Sequence, residues 1–136
     1  MNREAREAAM RILYSKEFAN SPASAEDYWK MHKVSDAMRE NAMRLVEGVD
    51  KKGKEIDALI KASAENWPLE RMAIVDKNIL RVAIFELTEC PDVPTAVVVD
   101  EALEIAKNYA SPESVPFIHG ILGKVSNETR HKKSDA

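Results

Sequence analysis

Apolar residues recur at helical spacing from one end of this 136-residue chain to the other, and that periodicity constrains the fold more than any other feature. Ala5, Ala8, Ala9, Ile12 and Leu13 sit at i, i+3, i+4, i+7 and i+8, one stripe of an amphipathic helix. Asn2 is placed to cap it, and Asn20-Ser21-Pro22 to end it. Ser24, with Asp27 three residues on, resembles a capping box opening a short helix through Tyr28, Trp29 and Met31. Ser35 then caps a long segment carrying Met38, Ala42, Leu45, Val49, Ile56, Leu59 and Ile60, in which Gly48 and Gly53 can break the helix. Residues 36–64 are therefore one helix or two.

Beyond it, Trp67 to Arg71 reads as a short helical turn with Pro68 in its first position. Ile74, Val75, Ile79, Val82, Ala83 and Leu87 make a helix buried on more than one side, closed by Pro91 and Pro94. Val97-Val98-Val99 has strand composition, yet Val98, Ala102, Ile105 and Tyr109 keep the helical period, which a three-residue run does not overrule. Ser111-Pro112 stops that helix, and Val115, Ile118, Leu122 and Val125 form the last. With four glycines and six prolines, too few for a hairpin-rich sheet protein, the expectation is an all-α domain of six or seven helices. It is expected to occupy residues 1–130, with a polar tail over 131–136 and fraying from Arg130.

Several function classes drop out. The lone Cys90 supplies no disulfide framework, thiolate zinc cluster or CxxC pair, and reads as an inert thiol. No apolar run reaches the roughly 18–20 residues of a membrane span, and the charged start is no signal region, so a soluble cytoplasmic protein is expected. His32, His119 and His131 lie in separate segments without a metal-binding motif, and no GxSxG, HExxH, P-loop or GxGxxG occurs. Asp100, Glu101 and Glu104 cluster, but first-turn acidic residues complement the helix dipole without doing chemistry. No enzyme, metal or cofactor is expected.

Charge is uneven. Residues 1–18 carry a net +1 and residues 124–136 a net +2, against −6 for the stretch between. If the two ends meet, an acidic protein presents one basic face to an anionic partner. Arg3, Arg6 and Met10 share a helix face that Tyr14 extends, and arginine with an aromatic ring suits phosphate and an unstacked base. Spacing alone favours the plainer alternative, a solvated face with i, i+4 pairs such as Arg3–Glu7.

Three stretches together resemble the transcription antitermination factor NusB family. They are Ala5-Arg6-Glu7-Ala8 with Ile12-Leu13-Tyr14-Ser15; Trp67 through Asp76-Lys77-Asn78-Ile79-Leu80-Arg81 to Glu86-Leu87; and Asp92-Val93-Pro94 through Asp100-Glu101-Ala102 to Phe117-Ile118-His119-Gly120. Their order and spacing match over roughly residues 3–126. The resemblance implies a helical fold in two subdomains, no cofactor and no catalysis. It implies binding of boxA-type RNA jointly with the small ribosomal-subunit protein NusE, within the transcription elongation complex, promoting ribosomal RNA transcription. Carried over by position, Arg3, Arg6, Tyr14, Phe117 and His119 are expected to contact RNA, and Asp76 the ribosomal protein. The resemblance shifts the arginine face from a solvated surface to an RNA contact. Here Glu4 and Glu7 interrupt the basic run and His119 stands where Asn is usual, which makes RNA affinity depend more on the partner. The alternatives are the RNA-docking domain of a ribosomal RNA cytosine methyltransferase and a purely protein-binding helical adaptor.

Overall fold

The computed structural model describes residues 2–18, 25–65 and 67–131. Seven α-helices follow one another: α1 (Arg3–Lys16), α2 (Ala25–Met31), α3 (Asp36–Lys51), α4 (Gly53–Ser63), α5 (Ile74–Glu89), α6 (Thr95–Tyr109) and α7 (Ser114–Ser126). A 3-10 turn, Leu69–Arg71, precedes α5, and a π-helical turn, Asn127–His131, extends α7. No strand occurs among the described residues, and Val97-Val98-Val99 is helical.

Two expected caps form. The Asn2 side chain accepts the Ala5 N–H at 3.0 Å, and Ser35 Oγ accepts that of Met38 at 3.2 Å, each satisfying a donor the first helical turn leaves open. The stop at Asn20-Ser21-Pro22 and the Ser24 capping box fall outside the described residues. The 36–64 segment is two helices, broken where Lys52 leaves helical geometry at φ −101°, ψ 14°. Gly48 is no breaker. It lies inside α3, and a Cβ there would stand 2.3 Å from the Phe85 ring, so glycine lets α5 approach α3. Pro68 lies just before the 3-10 turn, not in its first position.

Helix α5 is the hub. It packs on α1, α3, α4, α6 and α7, which is why Ile79, Leu80, Val82, Ala83, Ile84, Phe85 and Leu87 are all buried and its apolar residues form no single stripe. The main core runs through every helix except α2, whose residues are at most half-buried. A second, smaller cluster of Ala5, Ala8, Met38 and Ala42, covered by Tyr28, Trp29 and Val34, binds α1, α2 and α3 into an N-terminal subdomain. Its alanines let α1 and α3 run close together. Helices α4–α7 form the C-terminal subdomain.

Arg130 does not fray. Its guanidinium donates to the carbonyls of Glu86, Leu87, Cys90 and Val93 and to Thr95 Oγ1. The last turn of α5 contains no basic residue of its own, and Arg130 gives the Leu87 carbonyl a donor and the Glu86 and Cys90 carbonyls a second one beside their backbone N–H. Residues 132–136 of the expected tail lie outside the described residues.

Candidate nucleic-acid interface

Helix α1 carries two arginine–glutamate pairs of opposite character. Arg3, 46% exposed, donates to Glu101 of α6 through Nε at 2.7 Å and Nη2 at 3.3 Å. That accounts for part of the α6 acidic cluster. Because α6 begins at Thr95, Asp100 and Glu101 lie beyond its first turn, so the dipole reading of these residues is corrected and Glu101 is a partner for α1. The hydrogen bonds from Arg3 hold the Glu101 carboxyl below its ordinary pKa.

Arg6 corrects a second expectation. It was placed on the solvent-facing basic surface with Arg3, but its side chain is 4% exposed and meets Glu86 of α5, 1% exposed, in two parallel hydrogen bonds of 2.8 Å. The turn of the helix between positions 3 and 6 rotates Arg6 inward, toward α5. Burial alone would lower its pKa, but the hydrogen bonds and charge of Glu86 outweigh that and raise it. The paired hydrogen bonds lock α1 onto α5.

Past this seam, the outer side of α1 opens into a cleft of about 630 Å³. Met10, Arg11, Tyr14 and Ser15 line one side, Ala73, Ile74 and Val75 of the α5 start another, and Tyr109 closes it from the end of α6. Tyr14 and Tyr109 are among the exposed large apolar side chains. Tyr14 packs edge-on against Phe18 with ring centroids 5.0 Å apart, and Tyr109 Oη donates to Glu7 at 3.3 Å. The Arg11 guanidinium lies 5.5 Å from the Tyr28 ring centre.

Ala73 also lines a second cleft, of about 470 Å³, on its other side. There the first turn of α5 meets the α6–α7 connection. Asp76, 94% buried by its 6% exposure, accepts from Ser114 Oγ at 2.7 Å through Oδ2, and Ser114 contacts Ser111 in turn. Its Oδ1 is buried and has no hydrogen-bond partner among the described residues. Trp67, Arg71, Glu65, Glu113 and the half-buried Phe117 complete the walls.

The structure thus groups the expected residues differently from their order in sequence. Phe117 shares a cleft with Asp76. His119 is exposed but, two residues further along α7, projects about 200° away from Phe117, so the two do not form one contact. The basic groups of the two ends pair inside the chain. Lys16 binds Asp50, Lys124 binds Glu65, and Arg130 caps α5. Cys90 is buried, and that burial raises its pKa, keeping the thiol protonated. Among the described residues no group of three or more His, Cys, Asp or Glu is arranged for a metal, and no helix is long and apolar enough to cross a membrane.

Sequence reasoning missed Arg11 and Tyr109 as surface groups. Arg11 and Tyr14 have i, i+3 spacing and could have been read as one face, whereas Tyr109 was absorbed into the apolar period of α6.

Among the described residues the fold is that of an all-helical module packed around α5, with clefts where α1 and α6 meet the start of that helix. Residues 3–127 match the model of the NusB family. The chain is 41% identical to the transcription antitermination protein NusB of Koribacter versatilis, over 97% of this chain and 94% of that one. It is equally 41% identical to that of Syntrophus aciditrophicus, over 98% and 83%. Among solved structures, Thermotoga maritima NusB superposes with a TM-score of 0.85 at 32% identity, covering 100% of this chain and 99% of that one. NusB in a crystal structure of antitermination factors NusB and NusE in complex with dsRNA shares the fold, with a TM-score of 0.83 at 21% identity over 93% and 96% of the two chains. The chain belongs to the NusB family of transcription antitermination proteins.

Proposed function

We propose that this protein is a cytoplasmic antitermination factor that acts by binding and not by catalysis. It takes up boxA-type single-stranded RNA on the outer side of α1 and the small ribosomal-subunit protein NusE at the Asp76 cleft, and joins the transcription elongation complex to promote ribosomal RNA transcription. The observation that carries this is the concentration of exposed aromatic and cationic groups along α1, where Arg3 and Tyr14 lie on the outer side of a helix whose inner side is fixed by Arg6–Glu86. Arginine supplies charge for phosphate and tyrosine a face for a base. The relatives' name supports antitermination, and a structural relative crystallised with NusE and dsRNA supports NusE and RNA as classes of ligand, the single-stranded form resting on the exposed ring of Tyr14.

In this reading Arg6 is a positioning residue that presents α1. Arg3 exchanges Glu101 for a phosphate. The exposed His119 contributes a donor at the edge of the surface. Phe117 stands beside Asp76 at the junction with the RNA path, and the unpartnered Asp76 Oδ1 offers an acceptor to a donor side chain of NusE. The test is fluorescence anisotropy of a labelled boxA-type strand, titrated with the protein alone and with NusE added. Tighter binding with NusE, and preference over a scrambled strand, is the expected result. Equal affinity for both strands under both conditions rejects the reading.

A further inference from the structure

The cleft between α1 and the end of α6 is lined by Met10, Arg11, Tyr14, Ser15, Ala73, Ile74, Val75 and Tyr109. Its chemistry is specific. The floor is apolar, Met10 being buried and Ile74 and Val75 half-buried, and two phenol rings from different helices, those of Tyr14 and Tyr109, share the lining. Arg11 is its one charged lining residue. Each of these side chains is braced by a neighbour: Tyr14 by Phe18, Tyr109 by its hydrogen bond to Glu7, and Arg11 by the Tyr28 ring. Bracing of this kind means that little side-chain freedom is left to lose when a ligand enters.

A flat ligand with π faces and an attached negative charge matches all three elements. An aliphatic helix would use the floor and leave Arg11 and both phenols unused, and a lone anion would use Arg11 and the hydroxyls but leave both ring faces unused. We propose that the cleft is a base-binding subsite, in which one unstacked base of a single-stranded RNA lodges between Tyr14 and Tyr109 while Arg11 takes the adjacent phosphate. This rests on the RNA-binding reading above and adds Arg11 and Tyr109 to it. Because any base has a π face, the subsite selects for single-strandedness more than for sequence.

The test uses the full chain and a labelled boxA-type single strand, with NusE present. Tyr109→Ala is expected to weaken binding by roughly 5- to 150-fold, the range of one base–aromatic stack, whereas Tyr109→Phe, which keeps the ring, stays within about twofold of wild type. Arg11→Ala is expected to lower the slope of log affinity against log salt by about 0.7, one phosphate contact on a single strand. In a series of strands with one base removed at each position in turn, one position should weaken wild type but leave Tyr109→Ala unaffected. Tyr109→Leu keeps apolar bulk at the helix end and serves as the folded control, so a loss shared by Ala and Leu is a loss of stacking. If wild type binds the strand and Tyr109→Ala binds it equally well, the subsite is overturned while RNA binding stands. The same holds if Tyr109→Ala weakens only the association with NusE. Absence of any wild-type binding overturns RNA binding itself, and the subsite with it.

Discussion

The two faces of α1 use the same pair of residue types for opposite ends. On the inner face Arg6 and Glu86 are only 4% and 1% exposed, so both charges are almost wholly removed from water. On the outer face Arg3 and Glu101 are 46% and 21% exposed and meet with nearly the same geometry. Burial, not chemistry, separates them. A buried charge cannot give up its partner without being stranded in a low-dielectric interior, so Arg6–Glu86 is a lock. An exposed pair is partly solvated already, and its arginine can trade a carboxylate for a phosphate at small cost.

The sharpest way to break this comparison is Arg6→Ala, which strands Glu86. It is expected to remove about 3–5 kcal/mol of unfolding free energy in urea denaturation. The double variant Arg6→Met/Glu86→Leu removes both charges and should recover most of that loss, since apolar replacements of a buried pair are commonly neutral or better. If the double variant is as unstable as the single, the lock does more than neutralise a buried charge.

Arg130 extends the comparison to the C-terminal end. Arg130→Ala removes the donor to the Leu87 and Val93 carbonyls, while those of Glu86 and Cys90 keep a backbone N–H, and is expected to cost about 2 kcal/mol. A melting temperature equal to wild type would return Arg130 to a frayed tail. Asp76→Asn is nearly isosteric and keeps an acceptor but removes the charge. Calorimetric titration should find NusE bound about tenfold more weakly, the scale of one charge-assisted hydrogen bond, with RNA binding by the isolated protein unchanged.

The smallest effects belong to the outer pair. Glu101→Gln should lower melting by a small but measurable amount at neutral pH and tighten RNA binding about two- to threefold by freeing Arg3 from a competing carboxylate. The Glu101 pKa is lowered in the folded state, so its stabilising contribution is present above the ordinary glutamate pKa of about 4.3. It is lost as pH falls through the lowered folded value. Melting of wild type and Glu101→Gln followed downward from about pH 5 should therefore converge; parallel curves would show that the pair contributes nothing.

What could be read from the sequence was what local physics decides. Helix periods, the Asn2 and Ser35 caps and the helical fate of Val97-Val98-Val99 depend on neighbours within a turn or two, and all are present in the structure. What could not be read was pairing across the fold. Nothing local distinguishes Arg6 from Arg3, and Glu86, which holds Arg6 inward, lies 80 residues away. Arg130 looked like tail because its acceptors are carbonyls of another helix, which leave no mark in composition. Of the candidate site, Tyr14 was legible as an aromatic beside arginines, whereas Tyr109 became a surface group only once α6 was set against α1.

The division of α1 into a structural face and an RNA face is tested most directly by crossing stability with binding in two double variants. Arg6→Met/Glu86→Leu should bind a boxA-type strand within about twofold of wild type per folded molecule, whatever its melting temperature. Arg3→Ala/Tyr14→Ala should melt close to wild type yet bind the strand at least tenfold more weakly, having lost a phosphate contact and a stacking ring. The opposite pattern, with RNA affinity lost on removing the buried pair and retained without Arg3 and Tyr14, would contradict the account.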